Sequence, residues 1–211
     1  MGCILCLDQT PDGKTLVSGG TDKIVRVWDL KTGKVTARFR GHSGEIGFLR
    51  IASHGNWVAS AAEGAEVFKV WKTTSGEQLE VLKGHTGKIS GLDITPEASF
   101  FVSVGSTESE IRVWNAVEQK QLEPIPGPPF ARPMGGPDVT YFGVSFLHDG
   151  RSIATLGGDS NLRIYPSEKD QQIKTIKLPY AGYRMISSPD GEVLALGLES
   201  GRLAIVRIPA R

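Results

Sequence analysis

Cysteine is nearly absent: the chain has only Cys3 and Cys6. Residues three apart on a strand point to opposite faces, so these two cannot easily pair with each other. A disulfide-stapled fold is thereby set aside, and both thiols are expected as small buried apolar groups in a reducing compartment. No helix start follows them, as a thioredoxin-like redox pair would require. The four scattered histidines and two cysteines offer no zinc-ligand spacing, so no metal and no cofactor are expected. Long apolar runs are also missing, and none approaches the roughly 20 residues needed to span a bilayer. The N-terminus lacks the basic, apolar and small-residue regions of a secretory signal. Its Met-Gly-Cys opening looks like an acylation site, but Cys6 stands where Ser or Thr is wanted, and residues 3–9 read as a strand. Acylation is therefore not expected, and the missing signals leave a cytoplasmic (or nuclear) placement. Excess charge is absent as well. A net charge of +1 provides no strongly basic groove, so nucleic acid is not expected as the principal ligand.

What the chain does have is an internal period. Apolar runs ending in an aromatic recur as I-V-R-V-W-D at 24–29, V-F-K-V-W-K at 67–72, I-R-V-W-N at 111–115 and L-R-I-Y at 162–165, with a weaker L-A-I-V at 203–206. Trp28, Trp71 and Trp114 are spaced by 43 residues, Tyr165 follows after 51, and Val206 after 41 more. Turn signals keep step: Gly13, Gly55, Ala98, Gly150 and Gly191 are separated by 42, 43, 52 and 41 residues. Two independent markers with one period establish a repeat. Within each unit, alternation and β-branched residues favour strands, and no helical period of useful length occurs. The first unit reads as strands at about 3–9, 15–20, 24–29 and 34–40. Four antiparallel strands in every 42 or so residues make one blade of a propeller.

The Gly41-His42 and Gly84-His85 pairs each place a His 29 residues before a Trp, and Trp28-Asp29 supplies a Trp-Asp dipeptide. By these residues the chain resembles the WD-repeat β-propeller family over essentially its whole length, most strongly across 11–115. The expected fold class is all-β, a propeller of about five four-stranded antiparallel blades at about 1–42, 43–85, 86–128, 138–179 and 180–211. The last blade has room for only three strands, near 183–189, 193–199 and 202–208. Closing a ring would then need more blades, as in a seven-bladed protein, or a second copy. A self-contained five-bladed ring is the other arrangement left open.

The resemblance also implies a hydrogen-bonded polar network in each blade. Matching positions are Ser18, Asp22 and Trp28; His42, Ser60 and Trp71; His85, Ser103 and Trp114; and Thr155, Asp159 and Tyr165. Blades two and three lack the Asp, for which Glu63 or Glu66, and Glu108, are candidate substitutes. Such sets repeat with the packing around them, as a scaffold requires, whereas a hydrolase needs one exposed nucleophile and an oxyanion hole. No enzyme is expected. His54 and His148 fall in hairpin turns and read as solvated.

In WD-repeat relatives, the residue three after the His, and the one two further on, often contact partners. Carried over, these positions are Glu45 and Gly47, Lys88 and Ser90, Thr140 and Phe142, Ala181 and Tyr183, and Cys3 and Leu5. Phe142 and Tyr183 stand out because aromatic anchors dominate binding hot spots; their alternative role is packing between blades. Glu45 and Lys88 read equally well as solvated surface. A Pro/Gly-rich insertion at 123–138 would expose Phe130 and Arg132, either as a partner-binding loop or as a tolerated insertion. The leading expectation is a scaffold for protein–protein interaction, binding a peptide or a folded protein. The alternatives are a structural piece of a larger propeller without binding activity of its own, and, much the weaker, a propeller enzyme.

Overall fold

The computed structural model describes the chain except residues 1, 66, 96, 98, 107, 109, 116, 117, 119, 128–139, 148, 149, 167–172, 189 and 209–211; for 67, 79–82 and 200 it describes the backbone alone. The described elements are strands and one short 3-10 turn, arranged as five separate sheets. Blade one holds β1 (Ile4–Gln9), β2 (Thr15–Gly20), β3 (Ile24–Asp29) and β4 (Lys34–Arg40). Blade two holds β5 (Ile46–Ile51), β6 (Trp57–Ala62), β7 (Val67–Lys72) and β8 (Gln78–Lys83). In both, consecutive strands pair antiparallel in chain order.

Blade three holds β9 (Ile89–Ile94), β10 (Phe100–Gly105) and β11 (Glu110–Asn115), and its outer strand is broken into β12 (Lys120–Gln121) and β13 (Ile125–Pro126), both paired to β11. The start of the Pro-rich insertion thus joins the sheet, with Pro126 at an edge where a missing N–H costs no ladder bond. Blade four holds β14 (Tyr141–Phe146), β15 (Ile153–Gly157), β16 (Asn161–Tyr165) and β17 (Lys174–Lys177). Blade five has three described strands, β18 (Gly182–Ser187), β19 (Val193–Leu198) and β20 (Arg202–Arg207).

The chain forms two compact units. The first comprises 1–89, 94–101 and 114–122; the second comprises 90–93, 102–113 and 123–211. In the first, Val17, Val25, Val27 and Phe39 of blade one pack on Ile46, Leu49, Val58 and Trp71 of blade two. In the second, Leu156 and Leu162 of blade four pack on Met185, Leu194 and Leu196 of blade five. The strand period is the cause: alternate residues point to opposite faces, so in each of these pairs one face of a sheet carries its apolar residues toward its neighbour.

The fate of the cysteines differs from expectation. Cys3 is exposed just before β1, with its amide and carbonyl both bonded to Thr21. Cys6 is partly buried, with Sγ 3.3 Å from the Ile46 carbonyl oxygen of blade two.

Candidate functional site

The inner strands share one irregularity. The ladder register shifts between Ile4 and Cys6, Ile46 and Phe48, Tyr141 and Gly143, and Gly182 and Arg184. The residue left out of the ladder is Leu5, Gly47, Phe142 and Tyr183 in turn. A bulge bends its strand and re-aims one side chain, and bulges recur beside functional sites. Repetition at one position in four blades makes this a built feature of the inner strand.

Two neighbouring bulges carry aromatic rings. Phe142 and Tyr183 lie with ring centroids 5.2 Å apart and planes tilted by 57°. Phe142 is half-buried, while Tyr183 remains 46% exposed. The two roles considered for this pair therefore coexist: the rings pack on each other across blades four and five and still present a surface. Elsewhere in blades four and five, Tyr180 lies under the Arg202 guanidinium at 4.5 Å, and Lys177 Nζ donates to the Asp159 carbonyl at 2.9 Å.

Of the other sequence-derived contact positions, Glu45 and Lys88 are exposed in the first unit. The Glu45 carbonyl accepts the Glu63 amide at 2.7 Å, which pins the entry to β5. Ser90 is buried and donates to the Val104 carbonyl at 3.3 Å, so its side chain belongs to blade three's interior. Phe130 and Arg132 lie outside the described residues, as do Glu66 and His148. His54 is exposed in its hairpin turn, at the side of a shallow cleft shared with Thr10, Asp12 and Ser53.

Hydrogen-bonded polar sets lie inside blades one and two. In blade one, Trp28 Nε1 donates to Ser18 Oγ at 2.8 Å. In blade two, Trp71 Nε1 donates to Ser60 Oγ at 2.8 Å, and the same hydroxyl lies 2.8 Å from His42 Nε2. The hydroxyl accepts from the indole and keeps both its proton and a second lone pair for His42, so the ring's tautomer sets which of the two donates. Burial holds the His42 pKa down, at about 4, with the nearby Lys69 charge adding to the effect. Gly41 sits where φ is 149°, and a Cβ there would come 3.1 Å from the Trp71 ring. That contact explains a glycine before the His. In blade three, buried His85 lies 6.3 Å from the Trp114 ring, and Ser103 is fully buried. Ser60 is likewise fully buried, bonded to the Trp71 indole.

Blade four departs from this pattern. Tyr165 meets Tyr141, hydroxyl to hydroxyl at 3.3 Å, beside the buried hydroxyl of Thr155. Replacing Trp with Tyr changes the cause: the phenol oxygen lies at the ring's far end, so it reaches a different neighbour.

The acids of the turns have partners that sequence reasoning missed. Asp22 pairs with Arg26 at 2.6 Å, Glu108 with Arg112 at 3.0 Å, and Asp159 with Arg163. Each Arg stands two residues before the blade's Trp or Tyr, inside the motif itself. Arg26 lowers the Asp22 pKa; for Asp159, burial raises the pKa, but Arg163 and Asn161 more than offset that, and the net shift is down. Glu108 thus fills the Asp position of blade three, its longer side chain spanning the extra turn residue. In blade two the Arg position is Lys69, whose Nζ donates to the Gly41 carbonyl at 2.7 Å instead.

Among the described residues, no group of three His, Cys, Asp or Glu side chains could hold a metal ion. The family model "WD domain, G-beta repeat" matches residues 1–29, 33–71 and 76–115, just over half of the chain. Cilia- and flagella-associated protein 52 of Sus scrofa is 43% identical over 65 residues, which is 30% of this chain and 10% of that protein. Pre-mRNA-processing factor 19 homolog 2 of Arabidopsis thaliana is 38% identical over 53 residues, 25% of this chain and 10% of that protein. Each match therefore spans about a tenth of the curated relative's length. The solved structure of U3-55K superposes with a TM-score of 0.80 at 22% identity, covering 97% of this chain and 61% of that one. The crystal structure of RRP9 WD40 repeats gives 0.80 at 21% identity, covering 97% and 60%. At such identities the likeness establishes the fold, here an all-β propeller built of repeated blades.

Proposed function

Because the chain belongs to the WD40-repeat family, we propose that it is a non-catalytic scaffold which holds a peptide or folded protein partner on the bulged face of its inner strands. The observation that carries this reading is the Phe142–Tyr183 pair, two bulge-borne rings in contact, one of them 46% exposed. Aromatic side chains bring large contact area at small entropic cost and concentrate at binding hot spots. In the first unit, Glu45 and Lys88 are exposed at the matching approach to blades two and three, where they offer charges of their own. The proposed blade boundaries remain about 1–42, 43–85, 86–128, 138–179 and 180–211.

Partner capture from lysate tests this. Phe142→Ala and Tyr183→Ala should each lose captured proteins that Glu77→Ala, on an exposed hairpin turn, retains. Equal capture by all three variants, with unchanged melting, would refute the proposed face.

A second reading, a structural piece of a larger propeller, is favoured by one observation. Exposed apolar side chains gather on blade one (Leu5, Leu7) and on blade five (Ile186, Leu203, Ile205). Solution mass decides here: a monodisperse monomer with one cooperative melt would count against it.

A further inference from the structure

The loop that joins β4 to β5, residues 41–45, is tied down by two ammonium groups. Lys23 Nζ donates to the Ser43 carbonyl at 2.7 Å, and Lys69 Nζ donates to the Gly41 carbonyl at 2.7 Å. Among the described residues no main-chain hydrogen bond joins 42–44 to another segment, so side chains rather than a ladder hold this stretch. Ser43 is exposed, and its hydroxyl has no hydrogen-bond partner among the described residues.

Two arginines lead into it. Arg38 and Arg40 stand five and three residues before Ser43, in R-F-R-G-H-S, and no other Ser or Thr of the chain has Arg at both places. Both are exposed on one face of β4, while Phe39 between them is buried. That exposure belongs to the outer-strand position. In blade four, which has a blade before it and after it in the chain, Thr175 and Lys177 take the same places opposite Arg163 and Asn161 and are exposed too.

We propose that Ser43 is a phosphorylation site for a basophilic serine/threonine kinase, whose acidic groove holds Arg38 and Arg40 and so presents the Ser43 hydroxyl to ATP. Charge patterns of this kind are how kinases choose among hydroxyls. In the transfer, Ser43 Oγ attacks the γ-phosphorus of MgATP. An O–P bond forms, the bond from that phosphorus to the β,γ-bridging oxygen breaks with its electron pair going to ADP, and the hydroxyl proton passes to the kinase's carboxylate base. The product brings a charge of about −1.5 to −2 and three strong acceptor oxygens. Lys23, already on the Ser43 carbonyl, gains a phosphate oxygen as a second partner, so modification fastens the loop to blade one. It also sets a dianion two residues from exposed Glu45 and makes the approach to blade two more acidic. The site does not depend on the aromatic pair of the bulged face.

The chain supplies its own controls. Thr86 is exposed at the matching place after Gly84-His85 but has Lys83 and Val81 where Ser43 has Arg40 and Arg38, and Ser53 and Ser187 have Arg only three residues before them. The test incubates the whole folded chain with MgATP and a purified kinase of Arg-x-Arg-x-x-Ser preference, and mass spectrometry reads the sites. Expected is a single phosphate, on Ser43, with Ser53, Thr86 and Ser187 unmodified. Arg38→Ala and Arg40→Ala should each slow incorporation by about tenfold or more, the loss of one charge-assisted contact, with melting unchanged. Phosphorus NMR of the product should place its second ionisation below the usual pH of about 6, and Lys23→Met should return it there without slowing the kinase. Modification of a peptide of residues 36–46 but not of the folded chain would overturn the proposal, since the loop would then be closed to a kinase. Unchanged rates in both arginine variants, or phosphate on Thr86 in place of Ser43, would sink it equally. An ionisation indifferent to Lys23 would overturn the fastening of the loop.

Discussion

Phe39 of blade one and Trp71 of blade two stack with ring centroids 5.4 Å apart and planes within 16° of parallel. The contact makes the Trp of one blade a lid on the blade before it, while its indole N–H holds the Ser of its own. Packing and hydrogen bonding thus converge on one side chain.

Position in the series then decides what each Trp contributes. Trp71 and Trp114 are 3% and 1% exposed, but Trp28 is only half-buried, although it makes the same bond to its Ser. Trp71→Ala should cost about 3–5 kcal/mol, because a large buried side chain leaves a cavity. Trp28→Ala should cost about 1–2 kcal/mol, because less apolar area is withdrawn from water. Denaturant midpoints of the two variants check the order; equal losses would mean that the covering blade contributes little.

The pH response should be dominated in blade two by His42. Its folded pKa is about 4 against the ordinary 6.5, so the fold favours the neutral ring. Stability is then complete above pH 6.5, declines as pH falls toward 4, and levels off below. The full loss corresponds to about 3 kcal/mol. His42→Gln keeps a hydrogen-bonding partner for Ser60 and should flatten this part of a stability–pH curve. An unchanged slope in that variant would assign the effect to other groups.

Much of this architecture was legible in the sequence. Strand ends near Gly20, Asp29 and Arg40 followed from turn residues and alternation, and three Trp at equal spacing fixed the repeat. The serines under Trp28 and Trp71 were found because the family resemblance named their positions. The arginines paired with Asp22, Glu108 and Asp159 were not found, although R-V-W and R-I-Y stood in plain view. On a strand an Arg reads as solvent-facing, and only the pairing of β2 with β3, or β15 with β16, returns it to the turn acid. Nor could the sequence show that Phe142 and Tyr183 touch, since that depends on two bulges and on the packing of separate sheets.

Those acid–arginine pairs differ in burial, and their removal should rank accordingly. Glu108 and Arg112 are 7% and 10% exposed, and Arg112 also meets Glu110 at 2.9 Å. Asp22 and Arg26 are 31% and 21% exposed. Glu108→Gln leaves a largely buried guanidinium with one carboxylate, Glu110, that is half exposed, and should cost about 2–4 kcal/mol. Asp22→Asn keeps an acceptor for the Ile24 amide and leaves Arg26 access to water, at a cost of about 1 kcal/mol or less. Thermal melts of the two variants check the ranking, which fails if Asp22→Asn proves the more damaging.

Gly20 should tolerate no side chain at all. A Cβ there would overlap the Cys3 carbonyl oxygen, which is backbone and has no rotamer to escape through. That same carbonyl accepts the Thr21 amide at 2.9 Å, and the Cys3 amide donates to Thr21 Oγ1 at 2.8 Å. Gly20→Ala must therefore push the start of β1 away from β2 and break both bonds. The damage should stay local, because Leu7, Asp8 and Gln9 remain paired with Ser18, Val17 and Leu16. Hydrogen exchange should show lost protection at Cys3 and Thr21, with the amides of β3 and β4 unchanged. Thr21→Val, which removes only the side-chain bond, should expose Cys3 alone. If Gly20→Ala instead left both amides protected, the close approach of Cys3 to Gly20 would not be what anchors the first strand.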